Sequence, residues 1–76
     1  MEESVKTNIK RAIEKLSERE AGVLTMSYGL NDSAVHSLYD IADQYGTSTE
    51  RIRQIKNAAQ QKLRKLLQKN NEYINN

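Results

Sequence analysis

The stretch Ser37 to Asn57, SLYDIADQYGTSTERIRQIKN, holds two helical patterns separated by a glycine. Few chain segments are so constrained in what they can fold into. Leu38, Ile41, Ala42 and Tyr45 recur at i, i+3, i+4 and i+7, which places them on one helix face. Ser37 precedes them as an N-cap, and Asp40 stands at the capping-box position. Gly46 is the expected stop, because glycine takes a positive φ without a Cβ clash. Thr47, Ser48 and Thr49 each offer a hydroxyl to cap a second helix, whose buried positions are Ile52 and Ile55. Two helices joined by a short glycine-containing turn form a helix-turn-helix. In its DNA-binding form, the second helix sets its N-terminal residues against base edges in the major groove.

The flanking sequence also reads as helix. Val5, Ile9, Ala12, Ile13 and Leu16 follow helical spacing and predict a first helix over residues 2–15. Ser17 and Glu20 form a capping box that opens the next one. Its apolar positions are Val23, Leu24 and Tyr28, with Met26 and Leu30 as satellites. Gly22 weakens it by about 1 kcal/mol relative to alanine, and Gly29 is its expected end. Residues 29–36 read as a loop. Beyond Ile55 the buried stripe continues through Ala59, Leu63 and Leu66. With no proline and no strand-like alternation, the prediction is an all-α fold. It is a small four-helix domain over residues 1–69, with the helix-turn-helix at about 38–57 and a long C-terminal recognition helix. Residues 70–76, NNEYINN, are expected to be a frayed tail.

Composition narrows the function classes. A chain of 76 residues suits one small domain with a modest core. There is no cysteine, hence no disulfide, thiol nucleophile or thiolate metal site. His36 is the lone histidine and has no second ligand in view, so no metal site is expected. No Ser/His/Asp set, carboxylate pair or phosphate-cradling glycine loop is apparent, and neither an enzyme nor a cofactor is expected. No apolar run is long enough for a membrane, and MEESVKTNIK lacks a signal-peptide core. The expected location is the cytoplasm.

Charge is unevenly placed. Residues 1–49 carry five Lys and Arg against eight acids, a net of −3. Residues 50–69 carry seven Lys and Arg against Glu50 alone, a net of +6. Such a segment fits a polyanion partner, although a solvated lysine-rich face gives the same pattern. At about 100° per residue, Ile52, Ile55, Ala59, Leu63 and Leu66 share one arc. Glu50, Gln54, Asn57 and Gln61 fall opposite, and Arg51 and Arg53 flank that side. Glutamate can accept from a cytosine amino group, and glutamine can pair with adenine. Arginines at the edges can hold phosphates. The plainer reading makes Glu50 a partner of the helix dipole and Gln54 ordinary surface.

LSEREAGVLTMSYGL (16–30), with SLYDIADQYGTSTERIRQIKNAAQQKLRKL (37–66), resembles the C-terminal promoter-binding domain of bacterial sigma factors of the primary type. That domain is their fourth conserved region. Leu16, Ser17, Arg19, Glu20, Val23, Leu24, Met26, Tyr28 and Gly29 match its first motif, and Glu50 to Ile55 match Glu-Arg-Ile-Arg-Gln-Ile letter for letter. The resemblance implies sequence-specific binding to the minus-35 element of double-stranded promoter DNA. It also implies docking on the β flap of core RNA polymerase, and anti-sigma proteins or activators as further partners. Thr49, Glu50, Arg51 and Gln54 are then the base-reading residues. Arg53, with Ser37 and Leu38 through helix N-terminal amides, would contact phosphate. Thr49 stands where the family usually has a guanine-reading arginine, which implies an altered or weak minus-35 preference. Ala58, Gln60 and Gln61 stand where the family often has Lys, Leu and Arg, and the loss of basic residues at 58 and 61 would weaken contacts with DNA-bound activators. Since 76 residues leave no space for a domain that melts the minus-10 element, a fragment of a sigma factor is expected.

Two alternatives remain at this point. A LuxR-type regulator domain shares the Leu-Ser-x-Arg-Glu opening. A protein-interaction module would use the same fold to bind the flap or an anti-sigma protein. A basic amphipathic helix over 51–69 for membranes is disfavoured, because its apolar stripe is needed for the core.

Overall fold

A computed structural model describes the backbone of residues 3–30 and 34–75, with side chains over residues 4–30 and 34–68. Among these residues the chain forms α1 (Glu3–Ile13), α2 (Glu18–Tyr28), α3 (Leu38–Tyr45) and α4 (Thr49–Asn75). The fold is all-α, as the sequence predicts. Residues 31–33 of the loop after Gly29, and the side chain of Tyr73, lie outside the described residues.

Local chemistry sets the helix ends. At α2, Ser17 Oγ accepts from Glu20 N at 3.2 Å while Ser17 N donates to Glu20 Oε1 at 3.3 Å. Both halves of the capping box are therefore present, each satisfying an otherwise orphaned amide. Gly29 closes α2 with φ 67°, and Gly46 closes α3 with φ 65°. Past each glycine the next amide reaches back five residues: Leu30 N to Thr25 O at 3.1 Å, and Thr47 N to Ala42 O at 3.0 Å. This is the Schellman arrangement. It explains why Leu30 is a full core member at 3% exposure rather than a satellite: the reversal folds its side chain back over α2. His36 N donates to Met26 O at 3.0 Å and ties the far end of the loop to α2.

Two apolar clusters share α2 and α4. In one, Ala12, Ile13, Leu24, Leu30, Ala59 and Leu63 join α1, α2 and the middle of α4, with Ile9, Leu16 and Leu66 packed around them. In the other, Val23, Ile41, Ala42, Ile52 and Ile55 join α2, α3 and the start of α4, with Met26, Leu38 and Tyr45 beside them. Adjacent residues Val23 and Leu24 thus serve different clusters, both with no exposure. Val5 is a correction to the predicted stripe. It is 45% exposed, because the packing of α1 begins one turn later at Ile9.

Gly22 has a use that its helix propensity hides. A Cβ there would lie 2.2 Å from the Tyr45 hydroxyl, so only glycine lets the tyrosine approach α2 this closely. Over that ring lies Arg19, whose Cζ is 5.8 Å from the centroid, a cation–π contact.

Helix α4 has 27 residues, about 40 Å at 1.5 Å per residue. It accounts for most of the 44 Å long dimension of the molecule. It runs to Asn75 with no glycine or proline in it. No helix among the described residues is long and apolar enough to cross a membrane.

Candidate nucleic-acid interface

The site is built on the first two turns of α4. Of the three hydroxyl residues that could cap it, Ser48 does so: its Oγ accepts from Arg51 N at 3.0 Å. Thr49 becomes the first helical residue and is half-buried. With the start fixed, Ile52 (0% exposed) and Ile55 (7%) face the second cluster, and Glu50, Arg51, Arg53 and Gln54 are exposed. The helix therefore lies on the domain by its isoleucines and turns a short polar surface outward, as the periodicity predicts. Asn57 and Gln61 extend that exposed side.

The exposed residues pair with one another. The Arg53 guanidinium donates to the Glu50 carboxylate, both side chains more than half exposed. Arg51 Nη1 donates to Gln54 Oε1 at 3.4 Å. Both are i,i+3 contacts on one helix face. Exposed pairs of this kind contribute at most about 1 kcal/mol to stability. Neither pair follows from the residue types alone, which place the four side chains on the surface without pairing them.

Ser37 and Leu38 sit at the start of α3. Ser37 Oγ accepts from Asp40 N at 3.1 Å, so this serine satisfies one of the amides of the helix end. The amide of Ile41 already bonds to Ser37 O at 3.0 Å. The Leu38 and Tyr39 amides precede the first intrahelical bond and suit an outside acceptor. The Leu38 side chain itself packs into the second cluster. Tyr39 is 74% exposed beside these amides.

A shallow cleft of about 320 Å³ runs between the first turn of α2 and α4. Arg19 and Glu20 line it from α2, and Arg51, Gln54, Ala58 and Lys62 from α4. Lys62 Nζ lies 2.8 Å from Glu20 Oε2, joining the capping box to the long helix. The Lys62 hydrogen bond, aided by those from Ser17, holds the Glu20 carboxyl below its ordinary value despite partial burial. Forty-two residues separate the two partners, so no local pattern could have indicated the pair. Gln60 also joins the two helices. Its Nε2 donates to the Tyr28 hydroxyl at 3.1 Å and ties α4 to α2.

The chain is similar to known proteins over most of its length. The family described as Sigma-70, region 4 matches residues 12–65. The RNA polymerase sigma factor SigA of Lactococcus lactis subsp. cremoris is 38% identical over 60 residues, covering 79% of this chain and 16% of the relative. SigA of Lactococcus lactis subsp. lactis (strain IL1403) gives the same figures. SigA of a Bacillus species is 37% identical over 62 residues, covering 82% of this chain and 16% of the relative. The chain thus spans about one sixth of the length of these relatives.

Proposed function

We propose that this chain, which belongs to the sigma-70 region 4 family, binds the minus-35 element of promoter DNA as part of a sigma factor that brings RNA polymerase to its start sites. The observation that carries this reading is the surface of α4. Glu50, Arg51, Arg53 and Gln54 are exposed directly above a fully buried Ile52, on the helix that follows the Gly46 turn. In the major groove such a helix offers an acceptor at Glu50, an amide at Gln54 and arginines toward the phosphate walls. The amides at the start of α3 would meet the neighbouring backbone. Thr49 takes the place of a family arginine and offers no bidentate fork, so preference for guanine there is reduced. One helix-turn-helix gives a small interface, which is why polymerase or a second DNA-bound protein is needed for tight promoter binding. Cytoplasmic DNA and core polymerase are the partners this reading requires.

A second reading keeps the fold and shifts the partner. Leu16 and Leu66 form an apolar floor rimmed by Lys15, Lys62 and Lys65, which suits a protein such as the polymerase flap or an anti-sigma protein. The LuxR-type alternative is set aside by the family to which the chain belongs. Binding of the chain to a promoter duplex, with and without core polymerase, separates the two readings. Sequence-dependent retention of the duplex supports DNA recognition. Retention of polymerase with no dependence on promoter sequence favours the interaction module.

A further inference from the structure

Arg51 and Gln54 line the same cleft, and their side chains meet there. A guanidinium can only donate, so the Gln54 atom that faces it must be the amide oxygen. The flipped amide would set two N–H groups of Gln54 against those of Arg51. The two ends of the amide are chemically opposite: Oε1 only accepts and Nε2 only donates. Resting on the reading of α4 as a groove reader, we infer that Arg51 is a positioning residue: it holds Oε1 of Gln54 and leaves Nε2 as the group offered to a base, so that Gln54 excludes cytosine.

The base edges make this selective. In the major groove guanine, adenine and thymine each present an acceptor, whereas cytosine presents only its N4 amino donor. An amide free to rotate accepts all four, because it can turn either end outward. An amide pinned by Arg51 meets cytosine donor to donor. Removal of water on docking strengthens the pin. The neighbouring pair works in the opposite sense. Arg53 engages one Glu50 oxygen, and a carboxylate keeps acceptor capacity for a cytosine amino group. One turn of helix thus favours cytosine at one base and refuses it at another.

The test is selection from a randomised six-base-pair duplex segment. The full chain is fused to a second DNA-binding module whose own site flanks the segment. Parent, R51M, R51K and Q54E are compared. Glutamate at 54 offers only acceptors, so Q54E should enrich cytosine at one position and thereby mark the base that residue 54 reads. At that position the parent should deplete cytosine about fivefold. R51M should restore cytosine to near parity with the other bases. R51K, which keeps a donor within reach of Oε1, should retain the depletion. A parental cytosine depletion in R51M, or parental base ratios at every position in Q54E, overturns the inference and leaves DNA recognition standing. No enrichment by the parent beyond that of the flanking module alone overturns the DNA reading, and the inference with it.

Discussion

The start and the middle of α4 use their polar side chains in opposite ways. In the middle, Gln60 reaches across to Tyr28 and Lys62 across to Glu20, so that polar contacts bind one helix to another. At the start, Glu50 pairs with Arg53 and Arg51 with Gln54, all within two turns of a single helix. Cross-helix contacts cannot be exchanged for an outside partner without loosening the domain. Pairs within one helix are not needed for the fold, because the isoleucines beneath them hold the helix in place whether or not the pairs persist. The difference separates a surface that frames the fold from one that is left for an outside partner.

The largest effects should come from the apolar layers. Ile41→Ala removes a fully buried residue from the α3 cluster, and Leu24→Ala does the same for the α1 cluster. Each should cost about 2–5 kcal/mol in urea unfolding. Since α2 and α4 belong to both clusters, unfolding should be one transition for either variant. Hydrogen exchange that opened α3 alone in Ile41→Ala would show instead that the halves melt separately.

A smaller change should act on recognition alone. Thr49→Arg restores the family residue at the outward end of α4 and should raise preference for guanine at one base by about 1–3 kcal/mol. The melting temperature should stay close to that of the parent. A marked loss of stability would mean that the start of α4 is tied to the fold more tightly than its contacts suggest.

The turn glycines differ in a way that space predicts. Both lie in the left-handed region, where a side chain costs about 1–2 kcal/mol. A Cβ at Gly46 meets nothing within 4 Å, whereas at Gly29 it would lie 3.0 Å from the Ala34 carbonyl. Gly46→Ala should therefore show only the backbone cost, and Gly29→Ala more than that, as read from denaturation midpoints.

The smallest expected effect is that of acid on the cross-helix pair. The Glu20 carboxyl is held below its ordinary 4.5, chiefly by Lys62. Its contribution is present above that unfolded value and is lost as pH falls through the lower folded one. Lys62→Met should flatten this part of the stability-against-pH curve, measured by urea unfolding from pH 7 down to pH 3. An equally steep acid loss in the variant would remove Lys62 as the cause.

Much of this architecture can be read from short-range sequence rules, for reasons that mark their reach. The caps at Ser17 and Ser37 and the stops at Gly29 and Gly46 depend on atoms within six residues of one another. The buried stripe of α4 depends on helix geometry alone. The N-cap of α4 was undecided because three adjacent hydroxyls can each accept the same kind of bond, and only the completed turn selects Ser48. Val5 keeps the helical period but lies beyond the packed length of α1, which depends on where the partner helices sit. The need for glycine at 22 was hidden, because the atom it makes room for belongs to Tyr45 on another helix. The outward face of α4 was legible, but its internal pairing was not. The pairing arises from rotamers, which the pattern of residue types does not fix.

The unbroken course of α4 through both clusters has a consequence for how the chain can change in length. Ile52, Ile55, Ala59 and Leu63 are in phase along one helix with no joint between them. One added residue between Ile55 and Ala59 would turn one cluster's residues by about 100° and advance them by about 1.5 Å relative to the other's. Both clusters could not then be filled at once. Insertions and deletions should therefore be excluded from residues 52–63.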